Sequence, residues 1–345
     1  MIKIVINAGN RSFRIEGPLR HLGYSILHLP SQGSRITKTL KFIRLVRRER
    51  PDLFIIDSPG LIFMVTFIIS RIFNIPFAAR MRGNIWDVFS DQKTYMRFPN
   101  LLYRFIILKC SEFVLRRSDR VFPVSEALAR AIEEKGIREE RIRVLQFPID
   151  SHIFYPGIEE KECISLLSIT NFSFRAKFTE LIRVLPEIDG VLSRHTSVHY
   201  TIIGSGKFFH EFEEAICTME NADRVHYLGY QADIPRFFRE SDIFLHFSRL
   251  DGFPGAVVEA MASGLPVVAN RYDAMIEQIH HGVTGFLIDH ESSLGDVLEL
   301  LITHEDIRKE IGNSGRAHIM EHYNLDVIAG QFKKEIESLL QEQNR

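Results

Sequence analysis

The amino-acid sequence predicts an α/β protein of two domains, each with a parallel β-sheet that helices cover on both faces. The chain has 345 residues, which exceeds one typical domain and accommodates two of about 150 to 180 residues each. Short apolar runs alternate with longer amphipathic stretches, and strands that alternate with helices form parallel sheets. Residues 247–269 follow the same order on a small scale, as a strand, a glycine-rich loop, a short helix, a turn and a strand.

The first half of the chain carries six short apolar runs, each bounded by polar or turn-forming residues. They predict strands at 2–6, 25–29, 53–57, 76–80, 120–124 and 142–145. Helices are predicted between them at 35–49, 60–73, 97–117 and 126–135, the last with Ser125 as its N-cap. The apolar run at 61–69 is shorter than the roughly 20 residues that span a bilayer, so it predicts a buried helix.

The second half continues the alternation. Strands are predicted at 163–169, 198–203, 225–229, 241–247 and 266–269, and terminal helices at 292–302, 306–321 and 325–342. Ligands of parallel sheets bind beyond the carboxyl ends of the strands. We therefore expect the functional residues in the loops that follow the strands.

The cysteines and the start of the chain indicate the compartment of the protein. The three cysteines, Cys110, Cys163 and Cys217, lie far apart and form no metal-spaced pair, which indicates a reducing compartment, the cytoplasm. The start of the chain lacks the long apolar region of a signal peptide, so we expect none.

Charge is unevenly distributed between the two halves. Residues 1–150 contain 26 basic and 14 acidic side chains, whereas the whole chain has a net charge of −1. This asymmetry suggests that the first half meets an anionic partner, such as a membrane surface or a lipid phosphate. Basic amphipathic stretches at 36–50 and 97–117 suit the inner face of a membrane, although core-facing helices with solvated charges are the alternative. We expect no nucleic-acid partner.

Two carboxylates flank the glycine-rich loop of the second half. Asp251 precedes the loop residues Gly252, Pro254 and Gly255, and Glu259 lies in the helix that follows. The amide groups of such a loop, and the positive end of the helix dipole near Pro254, suit a phosphate. The carboxylates suit hydroxyls of a sugar or ribose instead. From the pattern alone, a nucleotide-sugar site and an ordinary loop with two solvated acids are both open.

The same stretch resembles the signature of family 4 glycosyltransferases. An acid, Gly-Phe, and a Glu eight positions after the first acid are followed by Ala-Met-Ala-Ser-Gly-Leu-Pro-Val-Val-Ala, and the likeness continues into Glu277 and residues 282–288. The resemblance implies the GT-B fold, two facing Rossmann-like domains with a deep interdomain cleft. The family usually has Glu where this chain has Asp251, which shortens the reach of the carboxylate by one methylene.

The resemblance also implies the domain roles. Residues 1–155 form an acceptor-binding domain, residues 156–325 a nucleotide-sugar-binding domain, and residues 326–345 a helix that returns to the first domain. The expected reaction is retaining transfer of a hexose-type sugar from a nucleoside-diphosphate sugar to a glycan, lipid-linked or small-molecule acceptor. No cofactor besides the donor is expected and, since no Asp-x-Asp motif occurs, no essential metal.

Roles carried over from the family fall on the carboxylates and their loop. Glu259 is expected to hold the ribose hydroxyls, and Asp251 the hydroxyls of the transferred sugar, where it also favours positive charge at the anomeric carbon. Lys177 and the backbone amides of Phe253 and Gly255 are expected to stabilise the departing diphosphate, where negative charge grows.

The family also places an arginine shortly before the diphosphate-binding lysine. Asn171 occupies that position here, and Arg175 is the expected substitute. The remaining expected substrate contacts are Gly204, Gly229, Tyr230, Gly9, Asn10 and Arg82. The first three are expected to contact the nucleotide, and Gly9 and Asn10 lie in the loop after the first strand. Arg82 suits a phosphate or a sugar hydroxyl, and a structural salt bridge is the alternative.

Other functions remain open at this point. A sugar-nucleotide epimerase shares the fold, and a catalytically weakened nucleotide-sugar-binding protein is conceivable because positions 171 and 251 depart from the family pattern. A dehydrogenase is disfavoured, because the first strand is not followed by Gly-x-Gly-x-x-Gly.

Overall fold

The computed structural model describes residues 1–7, 13–157 and 163–343. The chain forms two compact units, of which the first comprises Met1–Pro148 and Tyr323–Arg345 and the second Ile149–His322. The division after Pro148 comes slightly earlier in the chain than the boundary predicted at 155/156.

The first unit is built on a five-stranded parallel sheet with the order β2-β1-β3-β4-β5. Its strands are β1 (Lys3–Ile6), β2 (Ser25–His28), β3 (Leu53–Asp57), β4 (Phe77–Met81) and β5 (Arg120–Pro123). The central strands β1, β3 and β4 are apolar and buried almost throughout, as expected for a sheet covered on both faces.

Among the described residues, five helices connect these strands and a sixth follows β5. They are α1 (Phe13–His21), α2 (Arg35–Glu49), α3 (Leu61–Ile72), α4 (Ile85–Lys93), α5 (Asn100–Arg117) and α6 (Glu126–Glu134). The predicted N-cap of α6 is confirmed, since Ser125 accepts a hydrogen bond from the backbone of Leu128 at 3.2 Å. Within the described ranges, we find no helix that is both long and apolar enough to cross a membrane.

The prediction of a strand at 142–145 is wrong. Ile142 forms only an isolated bridge with Val121, and the backbone of Arg143 and Leu145 donates to the carbonyls of Val121 and Pro123. A parallel ladder would next need an amide donor at Pro123, and proline has none. The segment therefore follows the edge of the sheet without extending it.

The second unit is built on a six-stranded parallel sheet with the order β11-β10-β9-β6-β7-β8. Its strands are β6 (Ile164–Asn171), β7 (Val198–Ser205), β8 (Val225–Tyr227), β9 (Ile243–His246), β10 (Val267–Asn270) and β11 (Phe286–Ile288). Its helices are α7 (Thr179–Arg194), α8 (Phe209–Ile216), α9 (Ile234–Arg239), α10 (Gly255–Ala262), α11 (Asp273–Gln278), α12 (Ser293–Thr303) and α13 (Glu305–His322). The predicted fold class, two α/β domains with parallel sheets, is confirmed.

The last helix, α14 (Leu325–Gln343), belongs to the first unit. Its apolar stripe enters the same core as β1 and α1, with the members Ile328, Phe332, Ile336 and Leu339. Glu342 forms an ion pair with Arg120 at the start of β5. The helical spacing of these apolar residues in the sequence is what buries one face of α14.

Candidate functional site

The candidate site lies at the carboxyl edge of the second sheet, where β6 and β9 are neighbours. Leu166 pairs with Ile243 and Leu167 with Phe244, and both strands run in the same direction. Their following loops, 172–178 and 247–254, therefore leave the sheet at the same edge. Elements that are far apart in the sequence meet there because β9 is inserted beside β6 in the strand order.

Hydrogen bonds hold the second of these loops against its neighbours. Ser248, in the loop after β9, and Asn270, the last residue of β10, exchange two hydrogen bonds of 3.0 and 3.1 Å. The backbone of Arg249 donates to the carbonyl of Ala176 at 2.9 Å, which ties the loop to the one after β6. These contacts fix the backbone two to three residues before position 251.

Lys177 and Asp251 form an ion pair across the two loops. The side chain of Lys177 is 20% exposed and that of Asp251 14% exposed. Burial by itself raises the pKa of Asp251, but the positive charge of Lys177 outweighs it with help from His246, so the pKa lies well below its usual range. Asp251 is therefore a carboxylate at neutral pH.

His246, the last residue of β9, approaches the same carboxylate from the other side. Its Nε2 lies 3.3 Å from Oδ2 of Asp251, and the residue is 7% exposed. The sequence assigned no role to this histidine. Its position at the carboxyl end of a predicted strand, five residues before the acid, was the one signal in the sequence.

Helix α10 begins directly after the Asp251 loop, so its positive dipole end lies within a few residues of the ion pair. The buried amide of Gln278 donates to the carbonyl of Pro254 at 3.3 Å and supports the turn into the helix. Phe253 is buried, whereas Gly252 is half-buried. Glu259 lies one turn into α10, also half-buried.

Arg175 and Asn171, the other side chains expected near the diphosphate, each have a partner of their own. Arg175 forms a bidentate ion pair with Glu211 on α8, with contacts of 2.5 to 3.1 Å, and its guanidinium lies 4.9 Å from the ring centre of Phe208. Asn171 is exposed at the end of β6, where its Oδ1 accepts from the backbone of Ser173 at 2.8 Å. Their roles toward a donor stay predictions.

Gly204 and Gly229 meet at the ends of β7 and β8, where the amide of Gly204 donates to the carbonyl of Gly229 at 2.9 Å. Gly204 has φ +151°, and a Cβ there would lie 1.9 Å from the carbonyl oxygen of Thr170. Glycine is thus required by the close approach of two strand ends. Tyr230, directly after Gly229, is 76% exposed.

The remaining predicted contacts belong to the first unit or fall outside the described residues. Nε of Arg82 lies 3.0 Å from Oδ2 of Asp57, and the side chain is 53% exposed. Its neighbour Arg80 is buried and contacts Oδ1 of the same aspartate at 3.3 Å. Gly9 and Asn10 lie outside the described residues.

In the described part of the chain, no group of three or more His, Cys, Asp or Glu side chains is arranged to hold a metal ion. The absence of an essential metal in the reaction stays a prediction.

Family models match both units. The model described as "Glycosyl transferases group 1" matches residues 151–318, and the model described as "Glycosyl transferase 4-like domain" matches residues 5–148. The first match contains every predicted site residue of the second unit.

Individual relatives are distant. The chain is 25% identical to the N-acetyl-alpha-D-glucosaminyl L-malate synthase of Bacillus anthracis over 64% of this chain and 60% of that protein. It is 23% identical to the N,N'-diacetylbacillosaminyl-diphospho-undecaprenol alpha-1,3-N-acetylgalactosaminyltransferase of Campylobacter jejuni over 75% of this chain and 70% of that protein.

A solved structure matches the fold. The crystal structure of Anabaena Alr3699/HepE in complex with UDP-glucose has a TM-score of 0.77 and 17% sequence identity, covering 98% of this chain and all of that one. At this identity the likeness concerns the fold, which is GT-B. The two family models, which together match residues 5–148 and 151–318, establish that the chain belongs to the family 4 type of GT-B glycosyltransferases.

Proposed function

We propose that this chain transfers a hexose-type sugar, with retention of anomeric configuration, from a nucleoside-diphosphate sugar to a lipid-linked or glycan acceptor. The observation that carries the proposal is the ion pair of Lys177 and Asp251 beside the amino end of α10. A cation and a helix dipole suit the diphosphate, and an ionised carboxylate suits sugar hydroxyls and a positive anomeric carbon.

In the proposed reaction the bond from the anomeric carbon to the diphosphate oxygen breaks, and a bond to the acceptor oxygen forms. The acceptor hydroxyl gives its proton to the departing phosphate, so no protein base is required. Lys177 stabilises the negative charge that grows on the phosphate, and Asp251 the positive charge that grows on the sugar. In this proposal Lys177 leaves Asp251 and turns to the diphosphate when the donor binds.

We propose a uridine diphosphate sugar as the donor and an acceptor carried on a lipid diphosphate. The first choice is supported by HepE, whose crystal structures hold UDP and UDP-glucose. The second is supported by the Campylobacter relative, whose name describes a diphospho-undecaprenol acceptor. A role in cell-envelope polysaccharide synthesis would follow from such an acceptor.

A lipid-linked acceptor would require contact with a membrane, and α5 has a surface suited to it. Large apolar side chains lie exposed on α5 and in the segment just before it, each 44% to 79% exposed: Phe98, Leu102, Tyr103, Phe105, Ile106 and Phe113. Arg104, Lys109, Arg116 and Arg117 are exposed on the same helix. Exposed apolar residues with flanking basic ones are typical of helices that lie in the interface of an anionic membrane.

Helix α3 extends this surface. Phe67 of α3 packs edge-on against Phe113 of α5 with ring centres 6.4 Å apart, and Ile68 and Ile72 lie exposed on the same helix. We define the α3/α5 face by these exposed apolar residues of the two helices. We propose that it attaches the protein to the inner, anionic face of the cell membrane.

The proposed function is tested by a thermal-shift screen of UDP, GDP, ADP and their sugars, followed by transfer assays with the donor that binds. A shift by one nucleoside diphosphate is expected, and an α-linked product from an α-linked donor, read by NMR, supports retention. An inverted product would contradict retention. Donor turnover without any acceptor would indicate an epimerase, and binding without turnover a non-catalytic protein.

A further inference from the structure

The carboxylate of Asp251 lies between the side chains of Lys177 and His246, and only Lys177 has a role in the proposed function. Lys177 pairs with Oδ1, whereas Nε2 of His246 lies 3.3 Å from Oδ2 without the alignment of a hydrogen bond. Both Oδ2 and Nε2 are buried, and within the described residues neither atom has a hydrogen-bond partner. A buried polar pair in this state is unfavourable unless a small movement completes the bond.

The two neighbours of Asp251 differ in how far they can move. Lys177 has a long, flexible stem and ends a single 3₁₀ turn, Arg175–Lys177, that lies outside the sheet. His246 lies in the sheet, where it pairs in register with Ala269, and its ring is stacked on that of Phe244 at 6.2 Å and 19°. The lysine can turn to a new partner, whereas the histidine cannot leave.

We propose that His246 is a positioning residue for Asp251: it carries a proton on Nε2, donates it in a hydrogen bond to Oδ2, and holds the carboxylate when Lys177 turns to the diphosphate. This inference rests on the proposed function, since it concerns the carboxylate placed at the transferred sugar. A rotation of the carboxylate about its Cβ–Cγ bond aligns the two groups without moving the strand.

The inference also accounts for aspartate at position 251. Aspartate keeps its carboxylate one methylene closer to the backbone than glutamate, and the last residue of β9 is then within reach of Oδ2. A glutamate would carry the carboxylate further from the strand, so an anchor at the end of β9 would matter less. The dependence on His246 should therefore be weaker in an Asp251→Glu background.

The kinetic test compares His246→Phe, which keeps a ring to stack on Phe244 but has no donor, with His246→Gln, which keeps an amide donor. We expect His246→Phe to lower kcat about 30-fold, the usual effect of losing a hydrogen bond to a charged group, with UDP affinity by calorimetry changed less than about 3-fold. His246→Gln should stay within about 5-fold of the unaltered kcat. The matched control is His210→Phe, an exposed histidine on α8.

Unaltered kcat in His246→Phe, or equal losses in the two variants, would overturn the inference. A purely structural role would appear instead as a lower melting temperature and weaker UDP binding in parallel with the loss of kcat. The Asp251→Glu background adds a second criterion. In that background, His246→Phe should lower kcat by a smaller factor than it does in the protein with Asp251.

A second test does not depend on enzymatic activity. Long-range proton–nitrogen NMR of protein labelled with ¹⁵N-histidine reports which ring nitrogen of His246 carries a proton. We expect a proton on Nε2, with its signal displaced in Asp251→Asn, whose side chain has nearly the same shape. A bare Nε2 facing Asp251 would overturn the inference even if sugar transfer is established, and a protonated Nε2 would support it even if the proposed reaction fails.

Discussion

Lys177 and Asp251 are 74 positions apart in the sequence and form an ion pair at the carboxyl edge of the second sheet. The pair joins the loop after β6 to the loop after β9. In the absence of a donor, each charge thus neutralises the other. In the proposed function, donor binding exchanges Asp251 for the diphosphate as the partner of Lys177, and variants of either residue test this exchange.

Removing one member of the pair should cost more stability than removing both. Lys177→Ala leaves a largely buried carboxylate uncompensated, so we expect the free energy of unfolding to fall by about 2 to 4 kcal/mol. The double variant with Asp251→Asn should recover part of that loss, as urea unfolding will show. Lys309→Ala, which breaks an exposed lysine–glutamate pair on α13, is the control and should change little. Equal effects of the two lysine variants would contradict the predicted burial.

Asp251→Glu should keep or raise transferase activity, because glutamate is the usual family residue and retains the charge. Asp251→Asn should lower kcat about 100-fold, as removal of a group that stabilises transition-state charge does, while UDP affinity is kept or rises because Lys177 is released. Initial rates and calorimetry measure both effects. Complete inactivation by glutamate would mean that the shorter acid is adapted to its particular sugar.

Glu259→Ala should weaken UDP binding by roughly 1 to 3 kcal/mol, the cost of losing hydrogen bonds made by a charged acceptor to the ribose. Isothermal titration of UDP measures the change. Glu310→Ala, which removes an exposed carboxylate from α13, is the control. An unchanged affinity in Glu259→Ala would refute the ribose role.

The α3/α5 face should bind vesicles that contain phosphatidylglycerol, and release should follow as salt screens the basic residues. Replacing Leu102 and Ile106 by Ser should reduce partitioning about 30-fold, because two exposed aliphatic side chains no longer enter the interface. Vesicle sedimentation is the measurement. Val283→Ser, which removes an exposed apolar side chain in the second unit, should leave binding unchanged. No sedimentation of the unaltered protein at low salt would remove the membrane proposal.

Acidification should destabilise the fold through His318. Burial, with the charges of His322 and His280 at ring distances of 4.6 and 4.8 Å, lowers the pKa of His318 to about 4. Between its ordinary pKa near 6.5 and pH 4, the unfolded chain binds a proton at this residue that the folded chain does not. Stability is therefore lost as the pH falls through this window.

The measurement compares urea midpoints at pH 7.5 and pH 5. The decrease should be smaller in His318→Gln than in the unaltered protein, whereas His290→Gln, at an exposed histidine, should behave like the unaltered protein. An equal decrease in all three proteins would assign the acid sensitivity to other groups.

Much of the fold was predictable because its determinants are local. The apolar runs form buried strands, and Ile328, Phe332 and Ile336, at helical spacing, form the buried face of α14. Ser125 caps α6 as predicted. The strand predicted at 142–145 failed because apolar character alone does not supply a ladder, and Pro123 of the neighbouring strand lacks the amide that would continue it.

By itself, the sequence determined the two parallel-sheet domains, the position of the loops at strand ends, and the residue types that a nucleotide sugar needs. Only the tertiary structure decided which side chains meet: Lys177 with Asp251, His246 with the same carboxylate, and Arg175 with Glu211. These pairs follow from the strand order, which inserts β9 beside β6, and from the helices packed over it. Strand order is set by the packing of whole sheets and their connections, so a local pattern of residues does not predict it.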